Sequence, residues 1–165
     1  MKNKLDSLFF ARLFVSEQKQ IALIADENLR FSSYLRNKLL RNEDFMKTVG
    51  IIAEYNPFHK GHEFHIEKAK KITGADAAII IMSGDYVQRG IPSIMPKHLR
   101  TQMALACGAD VVLELPVCYA TGSAEYFATG AVSLLEALGC VDYLCFGSEC
   151  GEIKILQQIA DVLCK

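Results

Sequence analysis

"TVGIIAEYNPFHKGHEFHIEKAKKITG", Thr48 to Gly74, is the stretch that decides the fold. It opens on an unbroken apolar run, Val49 to Ala53, that gives way to polar residues, as in a strand buried on both faces. From Gly61 onward the pattern turns helical, with Phe64, Ile66 and Ala69 expected inward and Gly74 as the C-terminal stop. Between the two lies "EYNPFHKGHEFH", Glu54 to His65, with three histidines, a lysine and a proline. A core has no use for that much imidazole. The segment is either a solvated turn or a grip on something charged.

The same alternation continues outward. "ADAAIIIMSG" reads as a second strand, followed by the loop "DYVQRGIPSIMP" and a helix from about Lys97 to Cys107, closed by Gly108. "ADVVLELP" is a third strand stopped by Pro116, and a helix from about Ser123 to Leu138 ends at Gly139. "VDYLCFGSE" is a fourth strand and "GEIKILQQIADVLCK" a fourth helix. Strands and helices in strict alternation imply parallel strands joined by right-handed crossovers. In such open sheets ligands bind beyond the carboxyl ends of the strands, where helix N-termini converge. The residues ending the strands are therefore the ones to watch: Glu54–His62, Ser83–Arg89, Glu114–Pro116 and Gly147–Glu149.

Upstream of Met46 the character changes. The first 45 residues carry eight Lys or Arg against six Asp or Glu, whereas the rest carries ten against thirteen. Residues 1–45 read as an N-terminal extension, from a start codon called too early or as a helical appendage. Residues 46–165 read as an α/β domain. With 165 residues, 51% hydrophobic and a formal net charge of −1, the chain suits one ordinary domain and shows no global basic field for nucleic acid. No apolar run reaches the ~20 residues that span a bilayer, and the first residues lack signal-peptide order. The expectation is a cytoplasmic protein without a membrane partner. Cys107, Cys118, Cys140, Cys145, Cys150 and Cys164 lack paired spacing and read as buried thiols. A zinc site from Cys140, Cys145 and Cys150 is the competing reading.

"His59-Lys60-Gly61-His62" lies between the first strand and the first helix. Both imidazoles there can donate hydrogen bonds to an anion over the helix N-terminus, whose free amides add positive charge. Gly61 permits close backbone approach, and Asn56 and Pro57 stiffen the bend leading in. Phosphoryl chemistry asks chiefly for positioning and charge stabilisation, which such a turn supplies. Neither G-x-x-x-x-G-K-[ST] nor G-x-G-x-x-G occurs. The competing readings are a histidine-rich helix start that merely caps, and a metal site from His62 and His65, for which no third ligand is evident.

Four ordered stretches, "VGIIAEYNPFHKGHEFHIEKAK", "IMSGDYVQRGIPSIMPKHLRTQMAL", "GADVVLELPVCYATGSAEYFATGAVSLL" and "FGSE", resemble the bacterial tRNA(Met) cytidine acetate ligase family, within the His-x-Gly-His nucleotidyltransferase-like superfamily. The resemblance covers Met46 to Lys165. It implies an α/β fold, a Rossmann-like open parallel sheet with helices on both faces. It also implies an enzyme that uses ATP, with Mg2+, to activate acetate as acetyl-adenylate. The acetyl group then passes to the wobble cytidine of elongator tRNA(Met), giving N4-acetylcytidine. Carried over by position, ATP contacts fall on Ile52, Ala53, Glu54, Tyr55, Asn56, Pro57, Phe58, His59, Lys60, Gly61, His62, Glu63, Phe64, His65 and Gly147. His59 and His62 take the catalytic role of steadying the phosphates. Family members are much longer, and their later ATP-contacting asparagine, arginine and S-x-x-R-like positions have no counterpart before Lys165. The chain therefore reads as an N-terminal part of the ligase, with an incomplete sheet.

Two rivals stand beside this reading, a small-molecule nucleotidyltransferase and an inactive nucleotide-binding remnant. Arg89 reads equally as a phosphate contact or a solvated loop residue. Lys97 and Arg100 read as a solvated face, with an RNA-facing patch as the alternative. Glu114 either orients a ligand or caps a helix, and Tyr126, Phe127, Val132 and Leu135 read as core.

Overall fold

The strand that opens the alternating unit, Thr48–Ala53, runs where the apolar sequence placed it. The computed structural model describes residues 13–14, 46–148 and 151–163. A two-residue strand, β1 (Leu13–Phe14), comes first; the other residues of the 1–45 extension, with Glu149, Cys150 and Cys164, lie outside the described residues. The alternating unit follows as β2 (Thr48–Ala53), α1 (Lys60–Thr73), β3 (Ala77–Ser83), α2 (Lys97–Ala106), β4 (Val111–Leu115), α3 (Val117–Ala120), α4 (Ala124–Leu138), β5 (Tyr143–Cys145) and α5 (Ile153–Leu163).

The sheet order is β1-β4-β3-β2-β5. The four strands β4, β3, β2 and β5 are mutually parallel, and β1 pairs antiparallel with β4 at one edge. From β2 the chain steps outward through β3 to β4, then returns across the sheet to lay β5 on the other side of β2. That reversal is the topological switch of a doubly wound sheet, and it opens a crevice at the carboxyl ends of β2 and β5.

The reversal also divides the core in two. On one face, Ile66 and Ala69 of α1 and Ala104 of α2 pack on Val49, Ile51, Ala78, Ile80 and Val112. On the other, Phe127, Ala131, Leu134, Leu135 and Leu138 of α4 pack on Ile79, Ile81, Leu113 and Leu115. All seven residues of β3 are buried, as a central strand covered on both sides requires. Gly50 lets α4 approach β2, because a Cβ there would meet the Leu135 side chain at 2.9 Å.

Several sequence expectations need correction. Phe64 is 64% exposed. At about 100° per residue, Phe64 lies on the side of α1 opposite Ile66 and Ala69. Tyr126 and Val132 likewise fall off the buried stripe of α4 and are exposed, whereas Phe127 and Leu135 are core. Cys118 is exposed and Cys107, Cys140 and Cys145 are half-buried, so fully buried thiols are not what the described cysteines form. The fourth strand is three residues long and largely exposed, and α5 exposes Ile153, Ile159, Val162 and Leu163. The short helix α3, absent from the sequence reading, follows Pro116. It turns Tyr119 onto Gly130 of α4, where a Cβ would stand 2.3 Å from the ring.

Truncating Ile80, which no solvent reaches, is expected to cost about 2–5 kcal/mol as Ile80→Ala. Denaturant unfolding followed by circular dichroism measures the loss.

Candidate functional site

The turn after β2 is built by its own side chains. His59 is the N-cap of α1. Its Nδ1 accepts the Gly61 amide at 3.1 Å, and the His59 amide in turn donates to Nδ1 of His62 at 3.3 Å. Two imidazoles thus play the reciprocal part that a hydroxyl and a carboxamide play in an ordinary capping box. Because both Nδ1 atoms accept, the neutral rings carry their proton on Nε2, which is the donor each has left for a ligand. The rings stack, centroids 3.7 Å apart and 23° from parallel.

This corrects one expectation in detail. The amides of Gly61, His62 and Glu63 are engaged by the His59 ring or carbonyl, so the helix end offers its dipole and the two Nε2–H groups more than free amides. The histidines do cap the helix, as the competing reading had it, with His59 exposed and His62 half-buried between the His59 ring and those of Tyr55 and Phe58. Gly61 is needed for a local reason. A Cβ there would meet the His59 ring at 2.9 Å and displace it from the cap.

Tyr55 forms the floor. It is 1% exposed with φ +50°, and its ring lies 4.8 Å from both Phe58 and His62. Its hydroxyl is buried without a partner among the described residues, and burial pushes its pKa up. Burial, with His59 and His65 nearby, lowers the His62 pKa, and burial lowers that of His65. His65 reaches β5, with its Nε2 3.8 Å from Cys145 Sγ, whose pKa burial raises.

The remaining candidates separate into three groups. Ile52 and Ala53 end β2 half-buried; Pro57, Lys60 and Phe64 are exposed, and Glu63 faces the Cys107 thiol on α2. Gly147 lies two residues past the last β2–β5 pair, Ile51 with Cys145, at the carboxyl end of β5. A Cβ at Gly147 would meet nothing within 4 Å. Glu54 and Asn56 turn the other way, toward the segment after β3. Glu54 Oε1 accepts the Gln88 amide at 2.8 Å, and Asn56 Oδ1 accepts the Ile94 amide at 2.7 Å.

Arg100 is the residue that sequence reasoning misplaced. Neither a solvated face nor an RNA-facing patch describes it, because it is wholly buried. Its guanidinium donates to the carbonyls of Glu54, Ser83 and Gly84, and its Nε to that of Met95 at 3.1 Å. Burial lowers its pKa while Asp85, Glu54 and Glu114 raise it. Lys97 is also engaged, donating to both Glu114 oxygens at 2.7 and 3.0 Å and lying 3.5 Å from Asp85. Glu114 therefore orients a lysine, and Gly84 admits it: a Cβ at Gly84 would stand 2.3 Å from the Glu114 carboxylate. Asp85 caps α2 by accepting the Lys97 amide. Burial pushes its carboxyl up, but Lys97 outweighs that and holds it below the usual range. Arg89 is exposed, with φ +64°.

Among the described residues no three His, Cys, Asp or Glu side chains are placed to hold a metal. No helix there is long and apolar enough to cross a membrane.

A parallel sheet of this order, with an imidazole-capped helix at its switch point, defines a nucleotidyltransferase-type α/β domain. Residues 46–165 match the HIGH Nucleotidyl Transferase family, and the chain belongs to that family. It is 57% identical over 118 residues to the tRNA(Met) cytidine acetate ligase of Acetivibrio thermocellus, a match covering 72% of this chain and 28% of that protein. The Clostridium kluyveri ligase of the same name is 56% identical over 118 residues, covering 72% and 29%. A crystal structure of Thermotoga maritima TmcAL bound with alpha-thio ATP superposes with a TM-score of 0.69 at 47% identity, covering 72% of this chain and 28% of that one. The chain thus spans less than a third of the length of these relatives.

Two outcomes follow from the site. The lowered His62 and His65 pKa values mean that the unfolded chain takes up protons first as pH falls. Stability is therefore full above about pH 6.5, the ordinary histidine value, and declines below it toward the folded-state pKa. Melting temperatures measured from pH 7.5 to 5.5 should fall, and less steeply in His62→Asn. Replacing Arg100 with methionine takes the guanidinium donor from the carbonyls of Glu54, Ser83 and Gly84 and is expected to cost at least ~3 kcal/mol in denaturant unfolding.

Proposed function

We propose that the chain is the ATP-binding part of an acetate ligase acting on the wobble cytidine of elongator tRNA(Met) in the cytoplasm. The observation that carries this reading is the stacked His59–His62 pair, two Nε2–H donors held over a helix N-terminus at the switch point. The relatives' names and the alpha-thio ATP in the Thermotoga maritima structure support ATP and tRNA(Met) as the substrates. Gly147 is compatible with it: among the described residues nothing lies within 4 Å of a Cβ placed there, and a glycine leaves its backbone open to a nucleotide.

In the proposed reaction an acetate oxygen attacks the α-phosphate of ATP. The bond to the β-phosphate breaks, and pyrophosphate leaves with the electron pair. His59 and His62 donate to the phosphate oxygens as charge builds on the leaving group. No protein nucleophile is needed, and holding both reactants in line supplies much of the rate. The cytidine N4 amine then attacks the acetyl carbon, releasing AMP and leaving N4-acetylcytidine. Mg2+ accompanying ATP would draw its ligands chiefly from phosphate oxygens and water and would add positive charge against the leaving pyrophosphate.

Pyrophosphate release from ATP, assayed with this chain and with a full-length relative, tests the reading. Acetate-dependent release supports it. Release requiring another acceptor favours a small-molecule nucleotidyltransferase, and silence an inactive remnant. His62→Ala in the full-length enzyme is expected to slow adenylate formation at least ~100-fold, and a near-normal rate removes His62 from the mechanism.

A further inference from the structure

We infer that Glu54 and Asn56 are positioning residues: they latch the segment Gly84–Pro96 to the nucleotide turn and do not touch the phosphates. The inference deepens the ATP reading above and rests on it for its functional half.

The segment is an ordered hairpin. Tyr86 and Pro92 form an antiparallel bridge. The amides of Val87, Gly90 and Ser93 donate to the carbonyls of Ile91, Val87 and Asp85 at 2.9, 3.1 and 2.9 Å. Its two arms are tied to the turn at Gln88 by Glu54 and at Ile94 by Asn56. Beneath them Arg100 holds the Glu54 carbonyl together with Gly84 and Met95, which flank the hairpin at either end. Both side-chain bonds run from a backbone amide to a side-chain oxygen, so each needs an acceptor and nothing more. A residue that instead met a phosphate would have to donate. Asn56 can do either, and this makes it the informative position.

Asn56→Asp keeps the oxygen that accepts from Ile94 and adds a negative charge, whereas Asn56→Ala removes the acceptor. If Asn56 is a latch, ATP affinity measured by direct titration falls about tenfold in Asn56→Ala and stays within threefold of the native value in Asn56→Asp. If Asn56 contacts phosphate, the aspartate is the worse variant, because its charge repels the anion; that result overturns the inference. Amide hydrogen exchange on the same three proteins, without ATP, provides the second readout. Exchange at Ile94 should quicken at least tenfold in Asn56→Ala and not in Asn56→Asp, and equal rates in all three overturn the latch. Should the native chain fail to bind ATP, the ATP reading falls while the exchange rates still decide the latch.

Discussion

Everything at the carboxyl end of the sheet depends on one buried cation. Removing a guanidinium from water is costly, and Arg100 offsets the cost with carbonyls that themselves need donors. Glu54 follows β2, while Ser83 and Gly84 end and follow β3. Glu54 and Gly84 lie just past their strands, where the ladder has run out, so their oxygens would otherwise be unmatched acceptors. The acids Asp85, Glu54 and Glu114 favour the charged form from around it. The cation thus sets how far the neighbouring strand ends splay, and with it the start of the turn that carries the histidines.

From that anchor the candidate site is assembled by backbone logic. The chain leaves β2 through a buried tyrosine at positive φ, bends past Pro57, and enters α1 through a histidine that caps its own helix. The aromatic floor of Tyr55 and Phe58 holds His62 from below, and His59 stacks on it from the exposed side. Neither ring is free to choose its tautomer, because a backbone amide occupies Nδ1 in each case. The fold therefore leaves the Nε2–H of each neutral ring as its donor, a preorganisation of the kind that charge stabilisation uses.

Much of this was legible in the sequence. The apolar run at Val49–Ala53, the glycine stops at Gly74 and Gly139, and the alternation of elements located nearly every strand and helix, because these signals are local. Both glycines do take the left-handed conformation. The histidine tetrad was legible for the same reason. Arg100 was not: a long polar side chain near a helix start looks solvated, and three of its four acceptors lie 16 to 46 residues away. The hydrogen bonds from the Gln88 amide to Glu54 and from the Ile94 amide to Asn56 were not legible either, since nothing in the spacing reveals that the hairpin folds back onto the turn. Phe64 and Tyr126 were misjudged by counting apolar residues without placing each on the helical wheel.

The fit of the His59 ring against Gly61 bears on how such a turn can change over generations. A single methyl at position 61 evicts the ring at 59, the ring at 62 loses its stacking neighbour, and the helix loses its cap in the same stroke. The glycine and the two histidines are therefore coupled: a larger residue at 61 acts on 59 directly and on 62 through the stack.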